Sequence, residues 1–169
     1  MEVVLFRHGP SAARDPARWR DDARRPLTRP GREQVRAAAR GLVLADVIKP
    51  RYRTSPAVRA ADTARLAAEV TGATGAIERW DELKFGADPL SVLQRLAEEG
   101  TQSGRVVLVG HEPGLGQLAG LLLFGEPLAP IRLRRAGAAA IEVPRRVGPS
   151  AGRLQWAMTR GQLIALGRA

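Results

Sequence analysis

The sequence has no cysteine. That excludes disulfides, thiolate-held metals and a cysteine nucleophile. It also suits a reducing compartment, so the cytoplasm is the expected location. Histidine is nearly absent as well: His8 and His111 are the only two. A zinc centre draws three or four ligands, usually from His and Cys, so a metal here would have to rest on carboxylates. Lysine is limited to Lys49 and Lys84 among 27 basic side chains. Aromatic residues make up 4% of the chain, too few to interleave with the basic ones as a base-stacking surface requires. No apolar run approaches the roughly 20 residues that cross a bilayer. The first residues carry Glu2, Arg7 and His8, which is unlike a secretory signal.

What is present is a globular composition. The chain has 169 residues, 44% of them apolar, which suits one domain spanning 1–169 around one sizeable core. Its net charge of +10 is carried almost entirely by arginine, whose planar fork matches phosphate. That charge points to an anionic partner, such as a phosphorylated protein, a nucleotide or a nucleic acid. The basic residues are scattered along the chain, as on a solvated surface, so nucleic acid is the weaker expectation. No membrane partner is expected.

The apolar run Val3–Phe6 ends in Arg7-His8-Gly9 and reads as a buried strand of an α/β sheet. Ligands of open α/β sheets bind beyond the carboxyl ends of the strands, which is where Arg7 and His8 stand. Gly9 allows a sharp turn and a close approach of ligand. Residues 10–27 are polar and charged and read as a long loop placed to roof the site; Arg24 and Arg25 either greet an anion there or lie exposed. Thr28 offers a helix N-cap, with Pro30 in the first turn, and apolar spacing carries that helix to about Ala45. A short strand over 50–55 leads to a helix from Pro56 or Ala57 to Thr71, with Ser55 as its cap and Arg59 in its first turn. Gly75–Trp80 reads as another strand, Pro89–Glu99 as an amphipathic helix and 100–104 as a loop. Val106–Val109 is the strongest strand signal, followed by Gly110-His111-Glu112-Pro113-Gly114 and a helix over Leu115–Phe124. Gly137–Val143 and Arg153–Met158 read as a hairpin joined by a Pro/Gly loop, and the tail 159–169 carries little signal.

Both histidines thus follow an apolar strand at the sheet rim. A Ser-His-Asp triad would need an exposed nucleophilic serine, usually on a Gly-x-Ser-x-Gly elbow, and none is expected to serve here. A histidine nucleophile acting on phosphorus needs cations around the equatorial oxygens and a second group to share the transferred charge. Arg7, Arg59 and His111 supply these in number and sign. The attacking nitrogen of His8 must be unprotonated, and its other ring nitrogen should donate to a backbone carbonyl, that of Gly9 or a loop neighbour.

These motifs resemble the histidine phosphatase superfamily, which includes the phosphoglycerate mutases. The resemblance rests on Arg7-His8-Gly9, on Ser55-Pro56 followed by Arg59 and Thr63-Ala64, and on Gly110-His111 after a late strand. The short length, Arg25-Pro26-Leu27-Thr28 ahead of Gly31, and the Gly-His-Glu-Pro-Gly turn are similar to its small SixA-type phosphohistidine phosphatases. The resemblance implies a three-layer α/β/α sandwich with a mostly parallel sheet and an antiparallel edge hairpin. It implies a shallow pocket and no metal or organic cofactor. In the mechanism it implies, His8 is transiently phosphorylated, Arg7, Gly9, Arg59 and His111 hold the phosphate, and water releases it. Larger members protonate the leaving oxygen with a glutamate after the third strand; Glu82 stands in the matching region, with Asp81 its rival. The expected substrate is protein phosphohistidine. The alternatives are a phosphomonoesterase acting on a small phosphorylated metabolite and, in another class, a non-catalytic phosphate or nucleic-acid binding module.

Overall fold

The computed structural model describes residues 1–73, 75–99 and 104–169. Its centre is a six-stranded sheet. The strands are β1 (Glu2–Arg7), β2 (Arg51–Thr54), β3 (Glu78–Arg79), β4 (Arg105–Gly110), β5 (Ala138–Glu142) and β6 (Arg153–Met158). Their spatial order is β3-β2-β4-β1-β5-β6. The first four are mutually parallel, and β5 and β6 add an antiparallel edge.

Side-chain alternation along the strands splits the core in two. Val3, Leu5, Val106 and Leu108 face one way, onto α3 (Pro89–Glu98) and α4 (Gly114–Phe124). Val4, Phe6, Val107 and Val109 face the other way, onto α1 (Arg29–Leu44), α2 (Val58–Thr71) and α5 (Arg160–Leu166). The result is the three-layer sandwich the resemblance implies. Because β1 and β4 are covered on both sides, they read as unbroken apolar runs.

Local chemistry explains most boundaries. Thr28 caps α1, its side chain accepting from the Gly31 N–H. α2 stops at Gly72, which is left-handed with φ 66°. Several expectations need correction. Ser55 does not cap α2, which starts only at Val58 with Ala57 at the N-cap position and no side-chain cap. The strand expected over 75–80 shrinks to Glu78–Arg79, an edge pair on β2, because Gly75 turns with φ 74° and Trp80 already opens a 3-10 turn over Asp81–Leu83. The tail is not featureless: α5 fills it, fixed by a reciprocal capping box between Thr159 and Gln162. Of the loop expected over 100–104, all but Gly104 lies outside the described residues. Among the described residues no helix is long and apolar enough to cross a membrane.

α5 docks on α1 at a contact that only glycine allows. A Cβ at Gly41 would stand 2.0 Å from the Leu163 carbonyl oxygen, and the Leu163 side chain is fully buried. Gly41→Ala should therefore push α5 off the core and lower the unfolding free energy by about 2 kcal/mol, read as a drop in the urea midpoint. An unchanged midpoint would mean that α5 does not dock as described.

Candidate active site

The site is built by three chain reversals at the carboxyl rim of the sheet. β1 and β4 pair in parallel with Arg7 opposite Gly110, so the residues after each strand, His8 and His111, leave the sheet at one level. The His8 N–H donates to the Gly110 carbonyl at 3.1 Å. The two imidazole centroids lie 5.0 Å apart at a tilt of 56°. β2 ends beside them: the Ser55 N–H donates to the Val109 carbonyl, and Ser55 Oγ lies 3.0 Å from His111 Nε2. The following helix α2 carries Arg59 in its first turn and ties itself to the β1 turn through Thr63. Thr63 Oγ1 accepts from the Gly9 N–H at 3.0 Å and donates to the Arg59 carbonyl at 2.7 Å.

These segments enclose a cavity of about 210 Å³. Arg7, His8, Arg59 and His111 all line it, so the four residues paired by motif are brought together. Arg25 lines it too, whereas Arg24 is exposed and does not. Gly9 is buried but turned away from the cavity: a Cβ there would meet Val35 Cγ2 at 2.4 Å. Its smallness serves the approach of α1. Its contribution to the site is its carbonyl, which accepts from His8 Nδ1 at 2.8 Å. A carbonyl only accepts, so Nδ1 carries the proton and Nε2 keeps its lone pair. Glu82 does not line this cavity. It pairs with Arg95 at 3.5 Å and borders a separate small hollow next to His111. Asp81 is exposed and pairs with Lys84 at 2.9 Å.

Residues not foreseen complete the wall: Arg14, Asp22, Phe85, Glu112 and Arg135. Asp22 sits in a 3-10 turn of the 10–27 loop. Its carboxylate pairs with Arg25 and with Arg59, each at 3.0 Å, and its carbonyl accepts from Arg59 Nη1 at 2.7 Å. Glu112 accepts from the backbone N–H groups of Leu133 and Gly116, which fixes the segment that also receives Arg7 Nη1 on the Leu133 carbonyl at 2.8 Å. Phe85 stands at the mouth, 70% exposed and edge-on to His111. Glu112 was legible in principle, as the neighbour of His111. Asp22 and Arg135 lie in irregular segments with no periodicity to place them. Gly148-Pro149-Ser150-Ala151-Gly152 has the spacing of a nucleophile elbow, but it joins antiparallel strands at the opposite rim, where Glu142 pairs with Glu2.

Arg7 Nε, Arg59 Nε and His111 Nδ1 are buried without a hydrogen-bond partner in the protein. Buried polar atoms are normally paired, and all three belong to residues that line this one cavity. Among the described residues no group of three His, Asp or Glu side chains is placed to hold a metal.

The electrostatics follow from burial. Desolvation lowers His8 to about 3, reinforced by His111, Arg59 and Arg7 and opposed by the Gly9 hydrogen bond. Desolvation, then Arg59 and Arg7, lower His111 to about 4. Burial lowers Arg7 and Arg59 as well, against the opposing fields of Glu112 and Asp22, but a guanidinium stays charged at neutral pH. Burial raises Asp22, yet Arg25 and Arg59 outweigh it and hold the carboxyl below its usual range. At pH 7 the cavity therefore combines two neutral imidazoles with fixed cations.

Comparison with known proteins agrees with this geometry. Residues 3–88 match the histidine phosphatase superfamily (branch 1). The chain belongs to that superfamily. An uncharacterised protein of Picosynechococcus sp. is 32% identical over 151 residues, covering 81% of this chain and 82% of that protein. The protein histidine phosphatase SixA complexed with tungstate superposes with a TM-score of 0.81 at 27% identity, over 96% of this chain and 99% of that one. The α-ribazole phosphatase of Shigella flexneri shares the fold at 20% identity and a TM-score of 0.69, over 95% and 97% of the two chains. The superfamily and its SixA-like neighbours make this chain a phosphatase of the phosphoglycerate mutase-like fold.

The charge state is directly measurable because this phosphatase has only two histidines. In phosphate-free buffer both imidazoles should remain neutral at pH 6 by NMR, with midpoints below pH 5. Saturating inorganic phosphate should raise both midpoints, since a bound dianion favours imidazolium. Because both folded values lie below the unfolded 6.5, their contribution to stability is complete above pH 6.5 and is lost as pH falls toward 3. Midpoints near 6.5 would contradict the burial.

Proposed function

We propose that this phosphatase uses His8 as its nucleophile, works without a metal, and takes protein phosphohistidine as its substrate, in the cytoplasm. The observation that carries the reading is one cavity lined by His8, with its Nδ1 bonded to the Gly9 carbonyl, and by Arg7, Arg59 and His111. A phosphoryl group seated there sets its equatorial oxygens among the Arg7 and Arg59 guanidiniums and His111 and faces His8 Nε2, the ring nitrogen left free by the Nδ1 bond to Gly9.

In the first step a bond forms from Nε2 to phosphorus while the bond from phosphorus to the substrate imidazole breaks. The leaving ring keeps the electron pair and departs as neutral imidazole when its far nitrogen carries a proton. In the second step water attacks phosphorus, the pair returns to Nε2, and phosphate leaves. Charge gathers on the phosphoryl oxygens in both steps, and preorganised cations on the cavity wall stabilise it. An imidazole is a far better leaving group than an alkoxide, so the first step does not require a strong general acid. Glu82, held by Arg95 outside the cavity, fits a chemistry of that kind.

A phosphomonoester of a small metabolite is the second reading, favoured by the likeness to an α-ribazole phosphatase. An alkoxide leaving group needs a proton donor, and Glu82 is the residue assigned to that role. His8→Ala should abolish phosphate release in buffer containing EDTA, by at least about a thousandfold. Glu82→Gln should leave hydrolysis of a phosphohistidine protein within about twofold of wild type. Turnover surviving in His8→Ala removes the nucleophile. A large loss in Glu82→Gln, with p-nitrophenyl phosphate and simple esters preferred, turns the assignment to the ester.

A further inference from the structure

Beside the cavity lies a second groove, of about 800 Å³, and it belongs to no step above. Arg7 and Arg135 line both hollows, so the two are neighbours that share a wall. The remaining charged lining is Arg132, Arg134 and Arg160. Among the described residues no acidic side chain lines the groove, and Leu133 is the one apolar side chain there. Elsewhere on this surface arginines sit against carboxylates, as Arg32 does with Asp62 and Arg65 with Glu69. Arg132, Arg134, Arg135 and Arg160 take part in none of the ion pairs among the described residues. Glu112 feels Arg132 and Arg7, but its oxygens are spent on the Leu133 and Gly116 N–H groups.

The arginine segment is bolted to the catalytic turn. The Ala136 N–H donates to the carbonyls of Arg7 and His8, both at 3.1 Å. Arg7 Nη1 holds the Leu133 carbonyl, and Glu112 holds the Leu133 N–H. A group bound on this segment therefore stands at a fixed offset from His8.

We infer that this groove binds an acidic stretch flanking the phosphorylated side chain of a protein substrate, and so selects substrates by the charge beside the reacting residue. The inference rests on the protein-borne reading above. Guanidinium forks suit carboxylates, and the volume lies in the upper range of ligand pockets, far beyond what one phosphate fills. Nucleic acid fits poorly, since among the described residues no aromatic side chain lines the groove to stack a base. Complementary charge of this sort acts through encounter and affinity and weakens with salt.

The test compares two short synthetic phosphohistidine peptides, one flanked by glutamates and one by glutamines, with p-nitrophenyl phosphate as reference. Wild type should show a kcat/KM at least about tenfold higher on the acidic peptide, mostly through KM. The preference should vanish at high salt and in the triple variant Arg132→Ala/Arg134→Ala/Arg160→Ala, which keeps its turnover of p-nitrophenyl phosphate. Equal rates on the two peptides, or a preference that survives in the variant, overturn the groove. Should neither peptide be hydrolysed while p-nitrophenyl phosphate is, the phosphohistidine reading fails. Fluorescence anisotropy with a labelled, unphosphorylated glutamate-rich peptide then decides the groove by itself. Binding by wild type and not by the variant supports it; absence of binding, or tighter binding of a labelled RNA of equal length, overturns it.

Discussion

The parallel pairing of β1 with β4 is the constraint on which the rest depends. Arg7 stands opposite Gly110, and each strand ends one residue before a histidine. In a parallel ladder the direction and register of two strands are fixed together, so a single alignment delivers two imidazoles to one level of the rim from positions 103 residues apart in the chain. A slip of one residue would send every side chain of a strand to the opposite layer, where it would meet different packing partners. The register that protects the core thus also sets the geometry of the site. Fold and chemistry are specified by the same hydrogen bonds.

Around that pair the protein balances two opposed demands. In the proposed chemistry the attacking imidazole must be neutral, and the phosphoryl oxygens must meet positive charge. Burial meets the first demand by lowering both rings well below neutral pH. Arginine meets the second, because its guanidinium keeps its proton where a lysine or histidine would lose it. The neighbouring cations lower the histidines further, so each demand helps the other. Asp22 limits the excess: it pairs with Arg25 and Arg59 and ties the 10–27 loop to the cavity wall.

Much of this was legible in the sequence because the strongest signals are short and local. Val3–Phe6 and Val106–Val109 are unbroken apolar runs, and each ends in a histidine beside a glycine. Arg59 follows a Ser-Pro strand end at helix-start spacing, and Thr28 announces α1. What escaped lay where position depends on tertiary contacts. The sequence leaves Arg25 either exposed or turned to an anion; Ser11, the Ala12 carbonyl and Asp22 hold it inward. Gly9 reads as room for ligand, yet the space it leaves is taken by Val35. The helix α5 was readable from Thr159 and Gln162 alone, but its seven residues give too short a period to stand out. The arginines at 132–135 carry no periodicity at all, and only the hydrogen bonds from Ala136 to Arg7 and His8 bring them to the cavity.

The central claim is that the Gly9 carbonyl, by occupying His8 Nδ1, reserves Nε2 for phosphorus. Rapid quenching at alkaline pH during turnover of a phosphoramidate, followed by NMR of the trapped protein, addresses it most directly. The account predicts a stoichiometric phosphoenzyme with the phosphoryl group on Nε2 of His8. A phosphoryl group on Nδ1, on another side chain, or no covalent intermediate in a fully active sample would contradict it.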